Sequence, residues 1–423
     1  MDQLGESKAV VMGGSVAGLL AAAALAECFD RVLVVESHVE ARVPQSGHVH
    51  GLLSSGWAAM CRLLPKLELR LKAAGVDWVH YGQEFRWNHF GEDKARFEDE
   101  MRGPFSSRAT LQKAIQEEAL TVPNIELIEA KVSGLIGTLG FLEGVMLDDG
   151  SEVRADVVVD ATGRVSSGQK LLSTLGFAGV PERRYPVDLR YCSLRMRVPQ
   201  SAGRSWKSLF VVPEPPKTEA GAIFPLEDGS NLVTLSGRAG DRMPASIDEF
   251  YQFAERVADP EFVACVSSAE AVGEMKHYRF REALWRDYAN AKVPKNFYVL
   301  GDALCSLNPL FGQGMTLCAL QAVALREHFQ KKKTQGSSRY FKSVSRLVGQ
   351  AWQMTMLEDM RYPEWDEKRG VLAHLMQCYT RRVYQVSCRD PKLNHHLYQV
   401  IHLQRPASDL FRPWVLWSLV LGR

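Results

Sequence analysis

No run of about 18 uncharged apolar residues occurs in the 423-residue chain, so no membrane-spanning helix is expected. No Cys-x-x-Cys pair and no zinc-ribbon spacing occurs among the eight cysteines (Cys28, Cys61, Cys192, Cys265, Cys305, Cys318, Cys378 and Cys388). Free thiols in a reducing cytoplasm are therefore expected. No excess of one charge sign exists: 51 Lys+Arg face 49 Asp+Glu, a formal charge of +2, which gives no support to nucleic-acid binding. Met1–Lys8 lacks the basic-then-apolar pattern of an export signal. Internal repeats and extended low-complexity tracts are missing as well. What is present is an ordinary globular composition, 46% hydrophobic, 24% charged and 9% aromatic. It excludes a largely disordered chain and suits two to three domains of roughly 150 residues each.

The chain opens with a short apolar run, Lys8–Met12, that reads as a buried parallel strand. It ends in Gly13-Gly14-Ser15-Val16-Ala17-Gly18, followed by an Ala/Leu-rich helix to Cys28 and a second strand, Arg31–Val35, closed by Glu36. Strand, glycine turn, helix and strand within about 30 residues form the βαβ unit that seats a pyrophosphate on a helix N-terminus. Ser15 stands where the fingerprint has its second glycine, a small residue that still lets the turn approach a phosphate. Glu36, at the tip of the second strand, is placed to accept hydrogen bonds from an adenosine ribose and disfavours a 2′-phosphate.

Further along, Asp156–Gly163 is another apolar strand running into a turn, with Asp160, Gly163 and Arg164 at its end. It reads equally well as a strand end or as part of a site. The third motif is the most specific. Gly301 and Asp302 follow the strand Asn296–Leu300, then come Pro309 and the glycines Gly312 and Gly314, with Met315 and Thr316 opening a long helix. Asp302 can accept from a ribityl chain, and the N–H groups of residues 312–316 form a positive helix end for the N1–C2=O side of a reduced flavin. Between these motifs, Asn124–Asp160 reads as a β-meander, residues 185–238 as alternating strands, and 331–423 as mostly helical.

The three motifs, in this order and at these separations, resemble the FAD-dependent group A (aromatic hydroxylase) monooxygenase superfamily, with Gly301–Thr316 closest to its squalene-epoxidase-like branch. Arg42–His50 is similar to the loop after the second strand in that branch, and Arg108 matches the family arginine that opens the helix beside the FAD. The resemblance covers about residues 8–330. It implies an α/β fold: a doubly wound, glutathione-reductase-like FAD-binding domain assembled from 1–80, 105–178 and 276–330. A mixed β-sheet substrate domain from 81–104 and 179–275 is inserted in it, and a helical C-terminal region, 331–423, follows. The implied cofactor set binds FAD through Gly13, Gly14, Ser15, Ala17, Gly18, Glu36, Arg108, Asp160, Gly163, Gly301, Asp302, Pro309, Gly312, Gly314, Met315 and Thr316. NAD(P)H is the implied co-substrate, binding transiently, since no second Gly-x-Gly-x-x-Gly precedes a helix. The implied reaction is hydroxylation or epoxidation of a lipophilic small molecule with O2 through a C4a-hydroperoxyflavin, in specialised metabolism. No side-chain nucleophile is needed, the catalytic residues are left unidentified, and no metal is expected. The halogenases that share the fold are disfavoured, because no Trp-x-Trp-x-Ile-Pro sequence occurs.

Pocket candidates are Phe210, Phe224 and Leu226 on the central strands, with plain core packing as their other reading. His48 either orients a substrate or is a satisfied loop histidine, since a metal pair with His50 lacks a third ligand. Arg279 faces either the pocket or solvent. The apolar end, Pro413–Leu421, is too short to span a bilayer and either docks on the protein or lies at a membrane surface. The expected location is cytoplasmic, with that peripheral contact left open. Two rivals remain: a flavin-dependent double-bond reductase similar to geranylgeranyl reductase, and a non-redox binding protein built on the nucleotide fold.

Overall fold

Uninterrupted Val/Ala/Met runs bury both faces of a strand, and they build the first layer. The computed structural model describes residues 6–38, 47–138, 140–199, 204–238, 240–331, 336–362 and 369–422. Five parallel strands lie in the order Phe297–Val299, Val157–Asp160, Lys8–Met12, Arg31–Glu36 and Ile125–Glu129. The helix Val16–Ala26 packs between this sheet and the helices Arg108–Ala119 and Gln313–Gln330. Its Ala-rich sequence lets all three approach closely, and Leu19, Leu20, Ala21, Ala22 and Leu25 are wholly buried. The expected meander is smaller than its sequence span. Ile125–Glu129 leaves it to become the edge of the parallel sheet, and only Val132–Gly137, Leu142–Leu147 and Glu152–Arg154 pair antiparallel.

The second layer is a nine-stranded mixed sheet. Its main path runs Cys305–Ser306, Lys276–Arg286, Glu182–Arg197, Asn231–Gly237, Ala220–Pro225, Ser208–Val212, Phe85–His89 and Glu92–Asp93. Lys276–Arg286, expected in the flavin domain, pairs along its length with Glu182–Arg197 and so belongs to this sheet. Alternation gives the sheet two different faces. Leu194, Leu209, Val211, Val233 and Leu235 pack under the helices Ile247–Ala254 and Pro260–Ser267 through Phe250 and Phe262. The intervening Phe210, Thr234 and Ser236 face the opposite way, into a cavity.

The described residues between 336 and 422 are mostly helical as expected, but they divide. Gly336–Asp359 adds Tyr340, Phe341, Val344 and Val348 to the core of the first sheet. Val371–Val386, Pro391–Ile401 and Pro413–Leu421 form a separate cluster around Val383, Leu393, Leu397 and Val415. Asp390 caps Pro391–Ile401 by accepting from the Leu393 N–H at 3.0 Å, with Pro391 in the first turn. Among the described residues, no helix is long and apolar enough to cross a membrane. All eight cysteines are unpaired.

Candidate flavin site and substrate cavity

The first motif is tight before any ligand is considered. Gly13 has φ +101°, and a Cβ there would meet the Ala161 carbonyl oxygen at 2.7 Å. A Cβ on Gly18 would lie 1.7 Å from the Gly13 oxygen, and one on Gly14 would lie 2.8 Å from the Glu36 Cβ. The turn therefore needs its glycines to pass between neighbouring strands. Glu36 Oε2 accepts the Gly14 N–H at 2.6 Å, which fixes the carboxylate beside the turn. Ser15 is the N-cap of Val16–Ala26, whose first turn holds no acidic residue. Ala17 packs on the third motif, since a Cβ on Gly301 would meet its methyl at 2.8 Å.

Arg108 links the first and third motifs. Its guanidinium is 7% exposed and donates to Ser15 Oγ at 3.1 Å and to Met315 Sδ at 3.3 Å. Among the described residues it has no carboxylate ion pair. Burial lowers its pKa, with Cys318 and Asp302 opposing. Ser107, one residue earlier, caps the same helix through its side chain. Glu227, in the turn that ends the sheet's inner hairpin, accepts from Ser107 N at 2.8 Å and from Ser107 Oγ at 2.6 Å. Burial alone would raise the Glu227 pKa, but the hydrogen bonds from Ser107 and Thr110 outweigh it and hold the carboxyl below its ordinary value. A depressed carboxyl stabilises the fold above its unfolded pKa and loses that contribution as pH falls through the folded value. Glu227→Gln is expected to cost about 1–2 kcal/mol at pH 7. Urea titrations of both proteins should show the difference closing below about pH 4.

Two residues expected in the cofactor set are engaged inside the protein. Asp160 is wholly buried and accepts from Thr162 N (2.9 Å), Thr162 Oγ1 (2.6 Å), Ser166 Oγ (2.8 Å) and Gly168 N (3.1 Å). Its carboxylate shapes the turn that presents Gly163 (φ +78°) instead of reaching outward. Thr316 is also wholly buried. Its Oγ1 accepts the Leu53 N–H at 3.0 Å, tying the start of Ser54–Leu63 to the helix Gln313–Gln330.

The rest of the third motif is open. Gly301 has φ +67° and donates to Gln321 Oε1 at 2.7 Å. Asp302 next to it has no hydrogen-bond donor among the described residues. Burial raises its pKa, opposed by Arg164 and Arg108. Arg164, at the end of the second motif, keeps a buried Nη1 with no partner. Pro309 starts a 3₁₀ turn, and Gly312 (φ +64°) is the N-cap of Gln313–Gln330, one residue pair earlier than expected from Met315. A Cβ on Gly314 would meet nothing within 4 Å. Gly51, a residue no motif signalled, lies backbone to backbone against Gly312.

Beyond this loop lies a cavity of about 890 Å³. Pro309–Gln313 form one side, Phe210, Phe224, Thr234 and Ser236 of the sheet another, and Met354, Met376 and Tyr398 of the C-terminal helices a third. Phe210 and Phe224 thus line it. Leu226 does not, because it sits in the hairpin turn, its N–H on the Ser230 carbonyl. Arg279 is on the surface, paired with Asp188. His48 is 2% exposed on the cavity side of the sheet, with Nδ1 2.9 Å from Ser193 Oγ, itself 2.6 Å from Thr234 Oγ1, and its ring edge-on to the lining Tyr191; it does not itself line the cavity. Burial drops its pKa to about 4, so it stays neutral at physiological pH. Arg42–Ser46 lie outside the described residues. No group of side chains among those described could hold a metal ion.

Several lining residues carried no local signal. His402 is the most informative. Its Nδ1 accepts the Ser54 N–H at 3.0 Å, so the ring proton resides on Nε2, and burial lowers its pKa to about 3. Arg238 pairs with the wholly buried Asp359 and lies 3.6 Å from the Tyr362 ring centroid. Asp359 also accepts from Asn308 Nδ2 at 2.8 Å, the residue that opens the Pro309 turn.

Known proteins share this architecture. A family model described as glucose inhibited division protein A matches residues 101–186. Protein Rv3254 of Mycobacterium tuberculosis is 26% identical over 403 residues, spanning 86% of this chain and 84% of its own. A flavoprotein/dehydrogenase from Cytophaga hutchinsonii superposes with a TM-score of 0.70 at 14% identity, over 99% of this chain and 98% of that one. The flavin-dependent brominase Bmp2 gives 0.67 at 14% identity, over 98% and 96%. The tetrameric form of 2-methyl-3-hydroxypyridine-5-carboxylic acid oxygenase gives 0.60 at 18% identity, over 83% and 90%. The doubly wound flavoprotein fold with an added mixed sheet and helical C-terminus is the architecture present here.

Proposed function

We propose that this chain is an FAD-dependent monooxygenase that uses NAD(P)H and O2 to hydroxylate or epoxidise a large lipophilic small molecule. The observation that carries the reading is the apolar cavity of about 890 Å³ bounded on one side by the Pro309–Gln313 loop. The residues present fit FAD. Arg108 is a buried cation without a carboxylate, Asp302 lacks a donor, Arg164 Nη1 lacks an acceptor, and the space over Gly314 is open. Glu36 would hold the ribose of the adenosine. The N-terminus of Val16–Ala26, with Arg108, would hold the pyrophosphate. Asp302 would hold the ribityl chain, and the N-terminus of Gln313–Gln330 the ring system. Bound there, FAD supplies the electron transfer from NAD(P)H and the activation of O2.

The chain's own residues provide position and dryness. Phe210, Phe224, Met354 and Tyr398 exclude water from the reacting edge and receive an apolar skeleton. His402 offers a fixed Nε2–H, and Thr234 and Ser236 offer hydroxyls, to orient a substrate oxygen. Because His402 and His48 stay neutral, neither contributes a titration between pH 6 and 8 to the rate profile.

The test is reduction of the yellow protein by NAD(P)H without oxygen, then turnover of lipophilic aromatics and polyenes under labelled O2. Incorporation of one labelled oxygen supports the reading. Product formed anaerobically would place the chain with the double-bond reductases, and a colourless protein without FAD affinity with the non-redox binders. Bromide-dependent product would favour halogenation, which the missing Trp-x-Trp-x-Ile-Pro sequence argues against.

A further inference from the structure

A helix on a protein surface ordinarily turns charged residues to water. Pro413–Leu421 does the opposite, since it holds no charged residue at all. Val415 and Leu419 pack inward, while Leu416, Trp417, Val420 and Leu421 are exposed, Trp417 by 64% and Val420 by 77%. The neighbouring helix Val371–Val386 exposes Val371, Leu372 and Leu375 in its first turns. Exposed Phe411 stacks on Tyr379 at 4.7 Å between the two sets. Together these side chains leave more apolar surface to water than monomeric proteins ordinarily do.

Charge marks what would cover it. Residues 369–423 carry eight Lys+Arg against two Asp+Glu, whereas residues 1–368 carry 43 against 47. The chain is near neutral, so its positive excess is confined to the segment that bears the patch. Arg412 directly precedes the apolar helix, Arg382 donates to the Leu419 carbonyl at 3.0 Å, and Lys392 lies 5.0 Å from the Trp414 ring centroid. The two acids are engaged: Asp390 caps a helix, and Asp409 pairs with Arg405 and Arg412. Arg381 and Arg389 pair with Glu214 and Glu92 outside the segment, which leaves Arg382, Lys392 and the two arginines that share Asp409 beside the apolar helix. An apolar face holding a tryptophan, flanked by these cations, matches an anionic bilayer surface.

We propose that the exposed faces of Pro413–Leu421 and of the start of Val371–Val386 dock the protein on anionic lipid, lying in the interface without spanning it. Leu372 and Phe411 belong both to this surface and to the cavity lining, so the docked face adjoins the cavity. The docking stands on the surface alone, and only the further consequence, substrate entry from the lipid, rests on the monooxygenase reading.

The test is co-sedimentation of the full flavin-loaded chain with phosphatidylglycerol or phosphatidylcholine vesicles. Pelleting with phosphatidylglycerol is expected, weaker by about tenfold with phosphatidylcholine or in about 0.5 M salt. Trp417→Ser with Val420→Ser should weaken partition about thirtyfold, with flavin content and Tm unchanged. Wild-type protein that stays in solution with both lipids overturns the docking. So does a well-folded double variant that pellets equally. A wild-type dimer that becomes monomeric in the variant, with no vesicle binding by either, assigns the face to a second copy instead. Lipid-charge and salt dependence are read on the wild-type chain, so they decide the matter even if the variant fails to fold. Flavin content and turnover in detergent report on the monooxygenase reading separately.

Discussion

Arg108→Met is expected to weaken FAD binding about a thousandfold while leaving the flavin-free protein as stable as before, or more so. The guanidinium sits between Ser15, at the cap of the nucleotide helix, and Met315, in the helix that would face the flavin ring. Its protein partners are a hydroxyl, an amide oxygen and a thioether. A buried cation hydrogen-bonded only by neutral groups bears a desolvation penalty that the fold offsets only in part, through the charge interaction with Asp302. A bound pyrophosphate would offset it, by charge-assisted hydrogen bonds in a site sheltered from solvent. Removing one member of such a pair costs roughly 3–5 kcal/mol, hence the thousandfold loss. Two measurements check this: FAD titration by fluorescence quenching, and thermal melts with and without FAD. The FAD-induced rise in Tm should shrink in the variant, while the flavin-free Tm holds or rises. A variant that melts early without FAD and still binds it at wild-type affinity would make Arg108 a structural residue only.

That expectation could be framed from sequence because the cofactor corners are local. Gly13 and Gly18 are demanded by backbone passing within contact distance, Gly301 and Gly312 by their positive φ, and such turns leave their mark in consecutive residues. The same locality does not separate a ligand contact from an internal one at Asp160 and Thr316. Both stand where a ligand-binding residue would, and hydrogen bonds to Gly168 and Leu53 engage them inside the fold. The cavity was legible only in part. Phe210 and Phe224 follow from strand alternation, whereas Leu226 misses because a turn intervenes before the next inward position. His402 and Arg238 reach the same space from residues far apart in the chain, and their partners, Ser54 and Asp359, are equally remote. No spacing rule connects them. Ile125–Glu129 mixes apolar and charged residues like a meander strand because an edge strand of a parallel sheet is half solvated, and only its pairing with Arg31–Glu36 tells the two apart.

Arg238→Met is expected to lower stability by about 3–5 kcal/mol near pH 8, with the loss shrinking toward pH 5. Arg238 directly follows the strand Asn231–Gly237, and Asp359 ends the helix Gly336–Asp359, so their contact joins the mixed sheet to the helical layer beside the cavity. Burial pushes the Asp359 carboxyl above its ordinary pKa, and Arg238 opposes that shift. Without Arg238 the shift grows. The folded state then binds a proton more tightly than the unfolded chain does, so stability recovers as pH falls toward the ordinary carboxylate range. Urea titrations at pH 8 and pH 5 should show that trend. Leu at position 359 combined with Met at 238 removes both charges and should restore most of the loss at pH 8. The double variant also frees Asn308, whose Nδ2 donates to Asp359 immediately before Pro309. A double variant that regains stability yet retains FAD poorly would assign the ion pair to positioning the Pro309–Gln313 loop. One that regains both would confine its role to holding the layers together.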